Sequence, residues 1–171
     1  MFDKYGNFDS CEEINEKAAE LLAASDEQSL KELAKENGID EEDAQDYIDG
    51  YTDCLCSILG AAAGKIKVEV EDLKLDPKKH ELINDWVEYI RLLSSEDQEI
   101  RIAIRRKDKS LIGCLGKILA WSYNNRYDVD KRIVEASGIK ISGRVQLGIS
   151  GSGTAKKIIR EYYLGKKADE R

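Results

Sequence analysis

At 171 residues, 42% of them hydrophobic and 36% charged, the chain has apolar material for one ordinary domain or two small ones. That composition excludes a disordered polymer and removes any need for a disulfide or metal staple. The formal net charge of −7 conceals a lengthwise split: residues 1–100 hold 27 of the 34 Asp and Glu but 10 of the 27 Lys and Arg, a balance of −17, whereas the rest holds 7 acids and 17 bases, or +10. Opposed charges of this size bear on partners and association rather than on fold.

In chain order, Ser10 and Glu13 have capping-box spacing, and Ile14, Ala18, Leu21 and Leu22 then share one helical face. Ser25-Asp26 caps a second helix carrying Leu30, Leu33 and Ala34, which stops at Asn37-Gly38, where glycine accepts the left-handed conformation. Asp40 opens a third, whose apolar positions Ala44, Tyr47, Ile48, Tyr51, Leu55, Ile58, Leu59 and Ala62 keep helical spacing. Its outer face is acidic: Asp40, Glu41, Glu42, Asp43, Asp46, Asp49 and Asp53 occur without an intervening base. The first four sit where a helix dipole favours negative charge, whereas Asp49 and Asp53 lie beyond that effect.

Gly60 and Gly64 weaken the pattern, and Ile66, Val68 and Val70 alternate with Lys67 and Glu69 as in a short strand, although Glu69–Leu75 fits a continuing helix equally well. Asp76-Pro77 predicts an N-cap and first helical residue ahead of the stripe Leu82, Ile83, Trp86, Tyr89, Ile90 and Leu93. A helix over about 96–107 follows, with Ile100, Ala103 and Ile104 inward and Arg105, Arg106, Lys107 and Lys109 at its C-terminal end. Ser110 restarts a helix bearing Leu111, Leu115, Ile118 and Leu119; off that stripe, Trp121 and Tyr123 read as core ahead of interface aromatics.

Asp128 is read as the cap of a short helix ending at Ser137-Gly138. Ile139, Ile141, Val145 and Leu147 flank Ser142-Gly143 as in a β-hairpin, and Thr154 caps a last helix with Ile158, Ile159 and Tyr162 on one side and Lys156, Lys157 and Arg160 on the other. The expected architecture is mainly α, about seven helices with a small β-hairpin or short sheet formed by Ile66–Val70 and Ile139–Ile149. It forms a single domain over 1–165, with 64–76 as the place for any division into an acidic helical part (1–64) and a basic helical part with the hairpin (65–165), and 166–171 as a frayed tail.

No apolar run approaches the roughly 18–20 residues of a membrane span, and MFDKYGNFDS has no secretory pattern, so a cytoplasmic setting is expected. Cys54-x-Cys56 lacks zinc-ligand spacing, His80 is the one histidine, and reduced thiols are the ordinary reading of Cys11, Cys54, Cys56 and Cys114. There is no nucleophile elbow, paired-histidine motif or GxxxxGK[ST], so no catalytic residue, metal or cofactor is assigned. The stretch 148–153 has the look of a phosphate loop beside Lys156, but a hairpin exit is the better description. Residues 29–50 have helix-turn-helix spacing, yet the second helix offers carboxylates where a DNA reader needs donors and cations. Direct nucleic-acid binding would fall to Lys140, Arg144, Lys156, Lys157 and Arg160.

Five segments together, MFDKYGNFDSCEEIN (1–15), AKENGIDEEDAQDYI (34–48), DWVEYI (85–90), KSLIGCLGKIL (109–119) and AKKIIREYYLG (155–165), resemble in the same order the PcfK-like proteins of phages and conjugative elements. That group includes type II-A anti-CRISPR inhibitors of Cas9. The resemblance covers nearly the whole chain and departs in 139–153. It implies a protein of the bacterial host cytoplasm that binds Cas9, or the Cas9–guide RNA complex, and blocks DNA cleavage. Since Cas9 holds its heteroduplex in a positively charged channel, Asp40, Glu41, Glu42, Asp43, Asp46, Asp49 and Asp53 would engage it as a phosphate substitute. The conjugative setting of the group also suggests the alternative of a nucleic-acid-binding accessory acting through the basic third. A homodimer is compatible with either.

Overall fold

The computed structural model describes residues 2–76 and 78–165, so the expected tail at 166–171 and the helix-opening role of Pro77 lie outside the described residues. Among those residues are nine helices and a two-stranded antiparallel sheet: α1 Cys11–Ala23, α2 Glu27–Glu36, α3 Glu41–Ile48, α4 Ile58–Leu73, α5 Glu81–Glu96, α6 Gln98–Arg105, α7 Leu111–Asn124, β1 Tyr127–Asp128, α8 Lys131–Ala136, β2 Gln146–Leu147 and α9 Ser152–Leu164. Local chemistry accounts for the helix starts. The Ser10 hydroxyl accepts the Glu13 N–H at 3.2 Å while the Glu13 carboxylate accepts the Asp9 N–H at 2.8 Å, a reciprocal cap displaced by one residue. Asp26 and Ser110 cap α2 and α7 through the N–H groups of Ser29 and Gly113, each at 3.0 Å.

Two apolar clusters divide the molecule. The first packs Ile14 and Ala18 of α1, Leu30 and Leu33 of α2 and Ala44 and Tyr47 of α3 around Leu55, Cys56 and Ala61. The second gathers Ile66 of α4, Ile90 of α5, Ile104 of α6, Ile118 of α7 and Ile159 of α9. Helix α4 serves both, giving Ala61 to one and Ala62 and Ile66 to the other.

The junction is polar and close. A methyl group at Gly64 would run into the Asn37 carbonyl oxygen, and one at Gly38, whose φ is +69°, into the backbone of Gly64, so α2 and α4 meet at van der Waals distance there. Asn37 is fully buried and accepts Arg105 Nη2 at 2.8 Å. The ammonium of Lys65, also fully buried, donates to the carbonyls of Arg106 at 2.6 Å and Lys109 at 2.8 Å, and Glu69 one turn later accepts the Leu111 N–H at 2.7 Å.

The predominantly helical class with a small β element is therefore observed, but several details of the sequence reading are corrected. Ile66–Val70 is helix, not strand. Ser57 caps α4, Ala61, Ala62 and Ala63 supply the strongest helix former, and Ile66, Glu69 and Val70 turn toward the second core and its edge at helical spacing. The long third helix is instead two, because Gly50 takes φ +76° and the backbone over 49–57 leaves the helix. Tyr51, expected inward, is 79% exposed. Helix α5 starts at Glu81, since the Asp76 carbonyl accepts from Lys79 and His80 in a separate turn.

The hairpin expected within Ile139–Ile149 does not form. Gln146 and Leu147 pair instead with Asp128 and Tyr127, upstream of α8, and Ile139 and Ile141 remain exposed. With Asp128 in β1, the cap of α8 is Asp130, which accepts the Arg132 N–H at 2.8 Å. Helix α9 starts at Ser152 behind Gly151, with Thr154 inside it.

Candidate functional site

Tertiary packing turns the acidic stretch into a surface. Ala44 and Tyr47 anchor α3 in the first core, which leaves Asp40, Glu41, Glu42, Asp43, Asp49 and Asp53 exposed and Asp46 half-buried. Asp40 occupies the N-cap position of α3 without bonding its N–H groups; its carboxylate accepts the Lys67 ammonium at 2.7 Å across from α4. Among the described residues this is the one ion pair these seven carboxylates make, and Asp49 otherwise accepts the Gln45 amide at 2.9 Å. Asp53 lies in the loop after α3, so the seven acids continue past the helix they were expected to share. Beside them, Lys31, Lys35, Lys67, Asp40, Glu41 and Glu71 line a cleft of about 710 Å³ between α2, α3 and α4 whose charge is mixed.

The basic candidates do not gather in the same way. Arg160 is half-buried and reaches Asp97 at 3.3 Å, and Asp97 in turn caps α6 through the N–H groups of Glu99 and Ile100, so Arg160 ties α9 to α6. Lys156 stacks over the Tyr89 ring at 4.9 Å, in a cleft that Ser150 and Ser152 also line. Arg144 sits 3.8 Å from Asp128, and Lys140 and Lys157 are exposed in the loop after α8 and on α9 respectively. Of the basic run at 105–109, Arg105 is buried, Lys107 pairs with Glu13 at 3.4 Å and Lys109 lies over Tyr162 at 5.1 Å.

Sequence reasoning missed an apolar surface. Leu82, Ile83, Trp86, Ile112, Leu119 and Ile149 line a groove of about 500 Å³ between α5, α7 and the start of the 148–151 connection. The adjoining arm, 125–149, exposes Tyr127, Ile133, Ile139 and Ile141, and α8 buries no residue at all. Tyr123, read as core, is 63% exposed with the Arg126 guanidinium 4.0 Å above its ring, while Trp121 is half-buried. The available signal was the second stripe on α7, where Ile112, Leu115 and Leu119 lie beside the buried Leu111, Cys114 and Ile118.

Among the described residues no group of three or more His, Cys, Asp or Glu is placed to hold a metal ion, and no helix is long and apolar enough to cross a membrane. No family model, curated protein or solved structure matches the chain.

Proposed function

We propose that this protein acts by stoichiometric binding rather than catalysis, inhibiting Cas9 in the bacterial cytoplasm by docking its acidic face on the cationic surface that normally receives nucleic acid. One observation carries the reading: the density of carboxylate at 40–53, where of seven acids Asp40 alone is ion-paired among the described residues and Asp46 alone is half-buried. Residues 40–49 span about 15 Å of helix axis at 1.5 Å per residue. Their six carboxylates give one charge per about 2.5 Å, or about 3 Å once Lys67 neutralises Asp40, whereas DNA carries one per about 1.7 Å as a duplex and about 3.4 Å as a strand. A cationic channel built for a heteroduplex meets a comparable density here. Attraction of this kind chiefly raises the association rate and fixes orientation. The order of the five family-like segments supplies the named partner.

The alternative, a nucleic-acid-binding accessory of a mobile element, draws on the exposed Lys140 and on Arg144, which reaches Asp128, together with the exposed Tyr123 and Tyr127, since aromatic rings among cations are stacking platforms for unpaired bases. The engagement of Arg160 with Asp97 and Lys156 with Tyr89 leaves that surface fewer available cations.

An in vitro cleavage assay with guide-loaded Cas9, the protein added before target DNA, tests the main reading. Inhibition is expected to saturate near one inhibitor per Cas9, to weaken at least tenfold when Asp43, Asp46, Asp49 and Asp53 are all changed to Ala, and to weaken as salt rises. No inhibition of several Cas9 orthologues at excess inhibitor sinks the proposal, and full potency in the quadruple variant sinks the phosphate-substitute mechanism. Tight binding to RNA or DNA without Cas9, lost on Lys140 and Arg144→Ala, would establish the alternative.

A further inference from the structure

Cys11 and Cys56 lie 45 residues apart in sequence, yet their Sγ atoms are 3.8 Å apart inside the first core. A clamp holds them there. The Cys11 thiol donates to the Cys56 carbonyl at 3.2 Å, and Asn15, one turn along α1, donates to that carbonyl at 2.9 Å and accepts the Cys56 N–H at 3.0 Å. Arg105, 2% exposed, bonds Asn37 through Nη2 while its Nε and Nη1 have no hydrogen-bond partner among the described residues, and its charge opposes the rise in the Cys56 pKa. Cys54, two residues before Cys56, is exposed. Cys114 is buried in the second core and shares none of these features.

We propose that these three cysteines form a peroxide-responsive site in which Cys54 is the entry thiol and a Cys11–Cys56 disulfide is the product. Burial raises the thiol pKa of both Cys56 and Cys11, so the buried pair stays protonated and entry falls to the exposed Cys54. The Cys54 thiolate attacks a hydroperoxide, taking one oxygen to become a sulfenic acid and releasing an alcohol or water. The Cys56 thiol then condenses with that sulfenic acid, forming a Cys54–Cys56 disulfide and losing water. Cys11, deprotonated as its proton passes to the departing sulfur, attacks Cys56; the Cys11–Cys56 bond forms and Cys54 is regenerated as a thiol. The net change is two thiols and one hydroperoxide to one disulfide, one alcohol or water, and one water. Exchange runs forward because a disulfide between residues two apart closes a tight ring, whereas bringing Sγ atoms from 3.8 Å to the roughly 2.05 Å of a bond asks little of two facing side chains. The product fastens α1 to the segment that leads from the acidic face into α4.

The test treats the folded, full-length chain with hydrogen peroxide, quenches with an alkylating agent in denaturant, and follows intact mass and tryptic peptides. Two of the four thiols should disappear with loss of two hydrogens, the peptide 5–17 should join 36–65 through Cys56 with Cys54 alkylated on fragmentation, Cys114 should stay reduced, and the thermal midpoint should rise by several degrees. Cys54→Ser should slow the link at least tenfold. The disulfide is refuted if 5–17 remains reduced while Cys54 is over-oxidised or bonded to Cys56 alone, or if Cys114 reacts as fast as Cys11. Linkage at the wild-type rate in Cys54→Ser refutes the entry role.

Discussion

Replacing Lys65 by methionine probes the seam between the two cores. The side chain is fully buried, and its ammonium donates to the carbonyls of Arg106 (2.6 Å), Lys109 (2.8 Å) and Arg105 (3.4 Å). Desolvation brings its pKa from 10.5 down to about 8, with nearby Glu69 opposing the fall and Arg105 adding to it. At 1.36 kcal/mol per tenfold change, that difference corresponds to about 3 kcal/mol. This is a ceiling, because the three carbonyls hold the ammonium as well. Since the folded-state pKa is the lower one, the unfolded chain retains the proton between pH 8 and 10.5, and stability contributed by Lys65 rises with pH across that window. Methionine escapes the cost of burying charge but leaves the carbonyls without a donor, at about 1–3 kcal/mol for each good bond lost. The two effects nearly offset at neutral pH. Above pH 10 the neutral amine keeps its N–H donors at no ionic cost, so the deficit of the variant grows by up to about 3 kcal/mol. Urea unfolding of both proteins at several pH values from about 7 to 10.5 measures the gap directly, and titrations common to both cancel in the difference. A gap that stays constant with pH would refute the reasoning.

Gly64→Ala should lose at least about 2–3 kcal/mol or fail to fold, because the added methyl meets the Asn37 carbonyl oxygen and neither backbone can withdraw. In Gly116→Ala the methyl meets nothing within 4 Å in the middle of α7, and denaturant melts should show a gain of about 0.5–1 kcal/mol. Tyr162→Phe removes the hydroxyl that accepts the Ser110 N–H at 2.9 Å and should cost about 1 kcal/mol in the same assay, with the α7 cap intact because Ser110 still accepts from Gly113.

The parts of the fold that local chemistry determines were legible. Ser10, Asp26 and Ser110 cap helices as their sequence context predicts, and Gly38 ends α2 with the positive φ that its position demanded. What failed depended on partners distant in sequence. Ile66–Val70 alternates over too few residues to outweigh the alanines ahead of it, and the sheet joins two two-residue strands across α8, a pairing with no local signature. The acidic face was legible from its missing bases, whereas Lys67 as the partner of Asp40 was not, because α4 delivers it from 27 residues away. Nothing local separates Lys65 and Arg105, both buried, from the many lysines and arginines that stay in solvent.

That seam determines how the two poles of charge are held with respect to each other. A junction of apolar side chains alone tolerates small sliding, since burial is non-directional. Here the approach of α2 to α4 is fixed by backbone against backbone at Asn37, Gly38 and Gly64, where a displacement of a few tenths of an ångström either collides or opens a gap. The Arg105–Asn37 bond and the three carbonyls around Lys65 add directional constraints from α6 and the turn that follows it. Helix α4, shared by both cores, continues from that contact to Lys67, which pairs with Asp40 at the edge of the acidic face. The carboxylates at 40–53 are thus positioned through the seam as well as by the first core. If 40–53 is the docking face proposed above, a variant that loosens the seam should weaken inhibition in the cleavage assay even though it alters none of the seven acids.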